Sequence, residues 1–345
     1  MPWTTIAIEN HTRKLAKDPG EGDERLLTYA QALREAQQQA LRRDRRVFIA
    51  GEGVDDPGGI FGSTLGLHKE FTGRVFDIPL AEAAVTGIMT GAALAGLRPV
   101  LAHMRLDFTL LSFDQILNHA AKARYMSGGR SRVPLVIRAL IGQGWGSAAQ
   151  HSQSFYPLFM HMPGLKVALP SNAYDAKGLL LAAIADDDPV MFIEHRWLYD
   201  LKSVVPEKEY LIPFGKGVVR RRGADVTILA LSLMVPEALK ASEELLREGI
   251  RAEVIDPRTL VPFDEGIVLK SVAKTGRLVI ADSSWRGGSA AEILLGRLCN
   301  PLRPLLKKDA VCVTLPDSPT PASPFLEKRF YKDSADIKDA VRKVL

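Results

Sequence analysis

Glu82 and His151 are the two side chains whose surroundings best suit chemistry. Glu82 stands in RVFDIPLAEAAVTGIMTGAALAG, residues 74–96, where Arg74 to Ile78 read as a short strand, Pro79 stops it and a helix opens at Leu80-Ala81-Glu82. Strand-to-helix junctions of this kind are where α/β folds place ligands. An acid in a first helical turn also stabilises the helix dipole by a few tenths of a kcal/mol, and position alone favours that plainer role. The helix body is almost all small residues, with Ala83, Ala84, Gly87, Gly91, Ala92, Ala93, Ala95 and Gly96. Glycine inside a helix costs about 1 kcal/mol relative to alanine, so these positions predict that another backbone comes close. His151 sits in the loop IGQGWGSAAQHSQSF, where an imidazole can carry protons or make a local surface hydrogen bond.

Several common chemistries are excluded. GQGWGS at Gly142 to Ser147 has the wrong glycine spacing for a dinucleotide site, and in PGGIFGST Ser63 stands where a phosphate loop needs lysine. Neither HExxH nor GxSxG occurs. The only cysteines, Cys299 and Cys312, form no CxxC, so neither a disulfide framework nor a structural zinc site is expected. A formal net charge of +5 is dispersed, with clusters only at Arg42 to Arg46 and Arg220 to Arg222, which read as solvated surface. Nucleic acid and membrane partners are not expected. The N-terminal stretch has no apolar run of signal-peptide length, and a cytoplasmic protein is expected.

At 345 residues the chain predicts two domains. Residues 1–25 read as a polar arm. Over 26–200, helical patterns alternate with apolar strands such as VFIAGEGV, VPLVIRAL and PVMFIEH, which predicts an α/β fold with a doubly wound, mainly parallel sheet. Within it, Ser112 reads as the N-cap of FDQILNHAAKARYM and Ser171 as the start of SNAYDAKGLLLAAIAD. Residues 201–223, with Pro206, Pro213, Gly215, Gly217 and the arginine cluster, read as a linker. The pattern restarts over 224–345 as a second, smaller α/β domain, crossed by the proline-rich PDSPTPASP and closed by a helix.

Taken together, VFDIPLAEAAVTG, AALAGLRPV, FDQILNHAAKARYMSGG, AAQHSQSF, PGLKVALPSNAYDAKGLLLAAIADDDPV and EVIDPRTLVPFDE make the chain resemble one family. It is the β subunit (E1β) of thiamine-diphosphate-dependent 2-oxo acid dehydrogenases of the pyruvate and branched-chain type, in the transketolase-like superfamily. The resemblance runs from about Phe48 to Glu327. It implies a pyrimidine-binding domain followed by a transketolase C-terminal domain. It further implies oxidative decarboxylation of a small 2-oxo acid, with the acyl group passed to a lipoyl domain of an acyltransferase (E2).

By this resemblance Glu82 is the acid that bonds the cofactor's pyrimidine nitrogen and drives its tautomerisation, with the cofactor supplying carbanion chemistry. Such a carboxyl is expected to be buried. Leu80 and Phe108 match cofactor-binding positions, and Phe108 can equally be a core phenylalanine at a strand end. His151 matches the histidine that faces the substrate. Leu135, Ala183, Asp186 and Asp188 match positions where some members hold potassium, largely through backbone carbonyls; a polar turn before Pro189 is the equal alternative for the two acids.

Thiamine enzymes usually hold Mg²⁺ and the diphosphate through a GDG motif and a later asparagine, and this chain has no GDG. A separate E1 α subunit is therefore expected to hold the metal, in an α2β2 heterotetramer whose active site lies between chains. Arg105, in HMRLDF, departs from the family pattern. A surface salt bridge is its default role, and recognition of a substrate carboxylate or phosphate is the alternative. EHRWLYD at Glu194 to Asp200 also departs. Two further readings stand beside the dehydrogenase: half of a split transketolase-like or acyloin-forming enzyme with no lipoyl partner, and a non-catalytic scaffold subunit.

Overall fold

Two strands, VIRALI and VMFIEH, are buried along their whole length, the mark of sheet interiors covered on both faces. The computed structural model describes residues 25–142 and 146–345; the arm expected over 1–25 lies, apart from Arg25, outside them. The strands are β1 (Leu26–Thr28), β2 (Val47–Gly51), β3 (Val75–Asp77), β4 (Arg98–His103), β5 (Val136–Ile141), β6 (Lys166–Ala168), β7 (Val190–His195), β8 (Lys202–Val204), β9 (Val218–Arg221), β10 (Val226–Ala230), β11 (Ala252–Asp256), β12 (Thr259–Val261), β13 (Leu278–Trp285) and β14 (Val311–Leu315).

A seven-stranded sheet has the order β12-β6-β7-β5-β4-β2-β3 and is parallel except where β12 joins β6. A five-stranded sheet has the order β14-β13-β10-β11-β9, with only β9 antiparallel. The α/β, mainly parallel architecture expected from the alternating pattern is what forms. Side chains alternate across the first sheet, so Val47 and Ile49 of β2 face helices Tyr29–Arg43 and Ala173–Ala185 while Ala50 faces Glu82–Leu94 and Tyr156–Met160. The second of these cores continues into Leu229, Ile255 and Val272, so the two sheets share apolar packing.

Residues 201–223 are more than a linker. They contain β8, which pairs with β1, and β9, the edge of the second sheet. Nor is the arginine cluster all surface: Arg220 is buried, paired with Asp256 at 3.1 Å and with Asp175. Ser112 does not cap a helix. It closes a short 3₁₀ turn, Leu110–Ser112, and its hydroxyl accepts from Thr86 at 2.9 Å. The helix beyond it is widened, a π turn at Gln115–Ala120 before α geometry resumes at Ala121–Met126. Asn172, not Ser171, caps the next predicted helix by accepting from the Asp175 amide at 2.8 Å, because the Ser171 hydroxyl donates to buried Asp256. A helix at Pro324–Phe330 follows the proline-rich crossing, with Pro324 at its first position.

Candidate active site

The chain from β2 crosses to β3 on one side and returns to β4 on the other, so the first sheet changes direction at β2. Ligands of doubly wound sheets bind at the carboxyl edge of such a point. Backbone passes closely there: a Cβ on Gly51 would lie 2.5 Å from the Ala102 carbonyl oxygen. Glu52 follows at once. Its Oε1 is buried with no hydrogen-bond partner among the described residues. Burial first, then the charges of Glu82 and Asp77, push its carboxyl up to about 7. Glu82 itself, the first residue of its helix, is only 8% exposed. The two carboxyls lie within each other's field, and Asp77 Oδ1 accepts from the Gly53 amide at 2.7 Å. The sequence reading missed Glu52, although its place directly after a buried apolar strand was the available signal.

One turn into the helix, Thr86 Oγ1 lies 3.4 Å from Nε2 of His103, the last residue of β4. Burial lowers this imidazole to about 4, which keeps it neutral at neutral pH. Leu80, the side chain matched to cofactor binding, is 81% exposed among the described residues. The close backbone approach expected at the helix glycines is also absent among the described residues. A Cβ on Gly91 or Gly96 would meet open space and one on Gly87 only the Gln115 side chain.

The loop beyond β4 brings Phe108 and His151 together, edge to face with ring centres 5.1 Å apart. His151 is exposed and Phe108 half-buried. Asp107 fixes the partner loop by accepting from the Gln153 amide at 3.2 Å and its side-chain nitrogen at 2.8 Å, and burial raises the Asp107 carboxyl.

Arg105 is not in a surface salt bridge. It is 6% exposed and donates to the Gly142 carbonyl at 3.3 Å, at the start of the His151 loop. Gly142 has φ +112° and packs on the His195 ring, where a Cβ would come within 2.8 Å. Next in the chain, Arg196 lies over the rings of Phe61 and Tyr199, at 4.5 and 5.2 Å. This end of β7 is pinned from beneath. Arg138 makes a fully buried two-pronged pair with Glu194, at 2.6 and 2.9 Å, and Tyr199 donates to the same carboxylate. Ser63, in the stretch compared with a phosphate loop, accepts from Arg138 at 2.8 Å and so anchors that loop structurally.

Leu135, Ala183, Asp186 and Asp188 gather around the carboxyl end of helix Ala173–Ala185, away from Glu82. Lys166 pairs with Asp186 at 2.6 Å and Arg124 with Asp188 at 2.6 Å, while Arg98 donates to the Asp186 carbonyl at 2.9 Å. The Leu135 carbonyl accepts from Val190 at 2.9 Å and that of Ala183 from Asp186 at 3.2 Å. Among the described residues no group of three or more His, Cys, Asp or Glu is arranged to hold a metal.

The transketolase pyrimidine-binding domain matches residues 25–202, and the transketolase C-terminal domain matches residues 215–337. The chain is 44% identical over 331 residues to the acetoin:2,6-dichlorophenolindophenol oxidoreductase subunit beta of Cupriavidus necator, covering 93% of this chain and 98% of that one. It is 41% identical over 323 residues to the pyruvate dehydrogenase E1 component subunit beta of Rickettsia felis and 39% identical over 327 residues to the 2-oxoisovalerate dehydrogenase subunit beta of Bacillus subtilis, each covering 92% of this chain and 98% of the relative. Among solved structures, a split gene transketolase described as an inactive beta4 tetramer shares the fold, with TM-score 0.76, 22% identity and coverage of 92% and 98%.

Proposed function

The chain belongs to the E1 β-subunit family of transketolase-like 2-oxo acid dehydrogenases, and from that premise we propose that it is the β subunit of an E1 enzyme that decarboxylates a 2-oxo acid oxidatively. Thiamine diphosphate, when bound, supplies the carbanion chemistry. The residues at the carboxyl edge fit its pyrimidine: a buried Glu82 carboxyl, with an unpartnered buried oxygen of Glu52 beside it, suits a ring that offers both a nitrogen and an amine. In this reading Glu82 holds a proton at the pyrimidine nitrogen. Glu52, raised to about 7 by burial and by the charges of Glu82 and Asp77, can itself hold a proton near neutral pH. Phe108 packs against the cofactor and orients His151, which faces the 2-oxo acid and carries protons during acyl transfer.

The single observation that carries the reading is the burial of Glu82 beside Glu52 at the point where the sheet changes direction. An α chain with GDG and asparagine is the proposed partner, since it would hold Mg²⁺ and the diphosphate. It would also cover Leu80, Ile88, Leu111, Tyr125 and Met126, which stand more than half exposed on neighbouring elements. An α2β2 assembly and transfer to a lipoyl acyltransferase complete the proposal. Potassium at Leu135, Ala183, Asp186 and Asp188 would be held by carbonyls, because the acids already have cationic partners. No helix among the described residues is long and apolar enough to cross a membrane, and a cytoplasmic location is proposed. The relatives named for acetoin favour one second reading, an acyloin as substrate. Co-expression with the α chain, thiamine diphosphate and Mg²⁺ tests both: dye reduction with a 2-oxo acid supports the first, reduction with acetoin alone supports the second, and an assembled complex that reduces dye with no substrate of either kind refutes the assignment.

A further inference from the structure

Arg105 differs from the other deeply buried arginines of this fold. Arg138 is paired with Glu194, and Arg220 with Asp175 and Asp256. Arg105, equally removed from solvent, makes one long hydrogen bond to a carbonyl, and no carboxylate of the described residues lies within ion-pair distance of it. A guanidinium carries five donors, and a buried one without a counter-ion is costly unless something anionic arrives. The carboxylates nearby do little to offset it. Asp107 interacts only at longer range, with its own charge weakened by burial, and Asp200 sits 3.8 Å from Arg196 instead. His195, held neutral by burial, and the hydroxyls of Tyr199 and Tyr331 complete the surroundings.

The site is built rather than incidental. Arg105 leaves β4, Gly142 leaves β5, and His195 and Arg196 leave β7, so three adjacent strand ends bring two guanidinium groups to one side of the His151 loop. Close by, Asp107 Oδ2 is buried with no hydrogen-bond partner among the described residues, and the Tyr331 hydroxyl, within the field of Arg105, lies against Ser152. Glu52 leaves β2, and Glu82 opens the helix that follows β3, on the far side of β4 from β5. Strands repeat about every 4.8 Å, which separates the β5 exit from β2 by on the order of 10 Å. Phe108, three residues beyond Arg105, meets the His151 ring with centres 5.1 Å apart. A small substrate with its reacting carbonyl at His151 would turn its far end toward Arg105.

We propose that Arg105, with Arg196 as a second cation, binds the far carboxylate of a dicarboxylic 2-oxo acid, so that the substrate class is a 2-oxo acid with a second negative charge. The inference rests on the reading of the site given above and narrows its substrate. The guanidinium fork matches a carboxylate in the plane, which an aliphatic 2-oxo acid or a neutral acyloin cannot offer at that end.

The test uses the assembled enzyme in two measurements. In the dye-reduction assay kcat/KM for 2-oxoglutarate should exceed that for 2-oxoisovalerate, pyruvate and acetoin at least tenfold. Arg105→Met should collapse that ratio, and Arg105→Lys should restore part of it. By calorimetry, glutarate should bind where butyrate does not, and Arg105→Met should abolish that binding. Turnover that prefers the uncharged chains, or an Arg105→Met variant that leaves the ratio unchanged, overturns the inference while leaving the E1 assignment standing. Arg105-dependent glutarate binding with no turnover of any 2-oxo acid supports the carboxylate site and instead refutes the activity.

Discussion

At the residue scale the central feature is a pair of carboxyls, and only one of them could be read in advance. Glu82 was legible because it opens a helix after a proline-stopped strand in a run of family-like sequence. Glu52 was not, since its raised affinity for a proton depends on Glu82 and Asp77, which the pairing of Gly51 with Asp77 brings close. The consequence is measurable. Glu52 titrates near 7 when folded and near 4.5 when unfolded, so across that window the folded chain holds a proton the unfolded chain has released. Stability from this group is therefore complete below about pH 4.5 and is lost as pH rises toward about 7. In denaturant titrations across the window, Glu52→Gln should lose stability less steeply with rising pH than the parent. His103 works in the opposite sense, its neutral form favouring the fold less as pH falls through 6.5 toward about 4, and it cancels in the comparison. Parallel slopes for parent and variant would remove Glu52 from the account.

The elements repay the same comparison. The alternation of β5, β7, β10 and β13 with helices was plain from apolar runs of strand length. Other features depended on contacts between distant parts of the chain. The π turn at Gln115–Ala120 lies against the Gly87 face, and Ser112 is claimed by Thr86. Strands β8 and β9 exist because partners at β1 and β11 present open edges. Helix Glu82–Leu94 reads differently again, for among the described residues Gly91 faces open space, Gly87 meets only the Gln115 side chain, and Ile88 is 65% exposed. A helix with so open a face is stabilised by what covers it from outside. Hydrogen exchange of the isolated chain and of the α-bound complex should show slowing over 80–97 and 110–126 on assembly. Slowing confined to the second sheet would place the partner elsewhere.

On the scale of the whole molecule, the two domains are joined by more than a connecting segment. β12, from the second half of the sequence, completes the first sheet, and Arg220 and Arg258 tie Asp175 of the first domain to the second. That coupling was hidden in the sequence, where Arg220 reads as one of three surface arginines and only the fold reveals two buried acids opposite it. It matters for the site because Tyr331, from the second domain, lies beside Ser152 in the loop of His151. A general acid or base typically contributes about 10²–10⁴-fold to rate. The most direct measurement is thus dye-linked turnover of the α-bound enzyme with Glu82→Gln, alongside the subunit ratio of the purified complex. Turnover reduced by at least about 10²-fold in an intact complex is the predicted result, and turnover within a few-fold of the parent would contradict the assignment of Glu82.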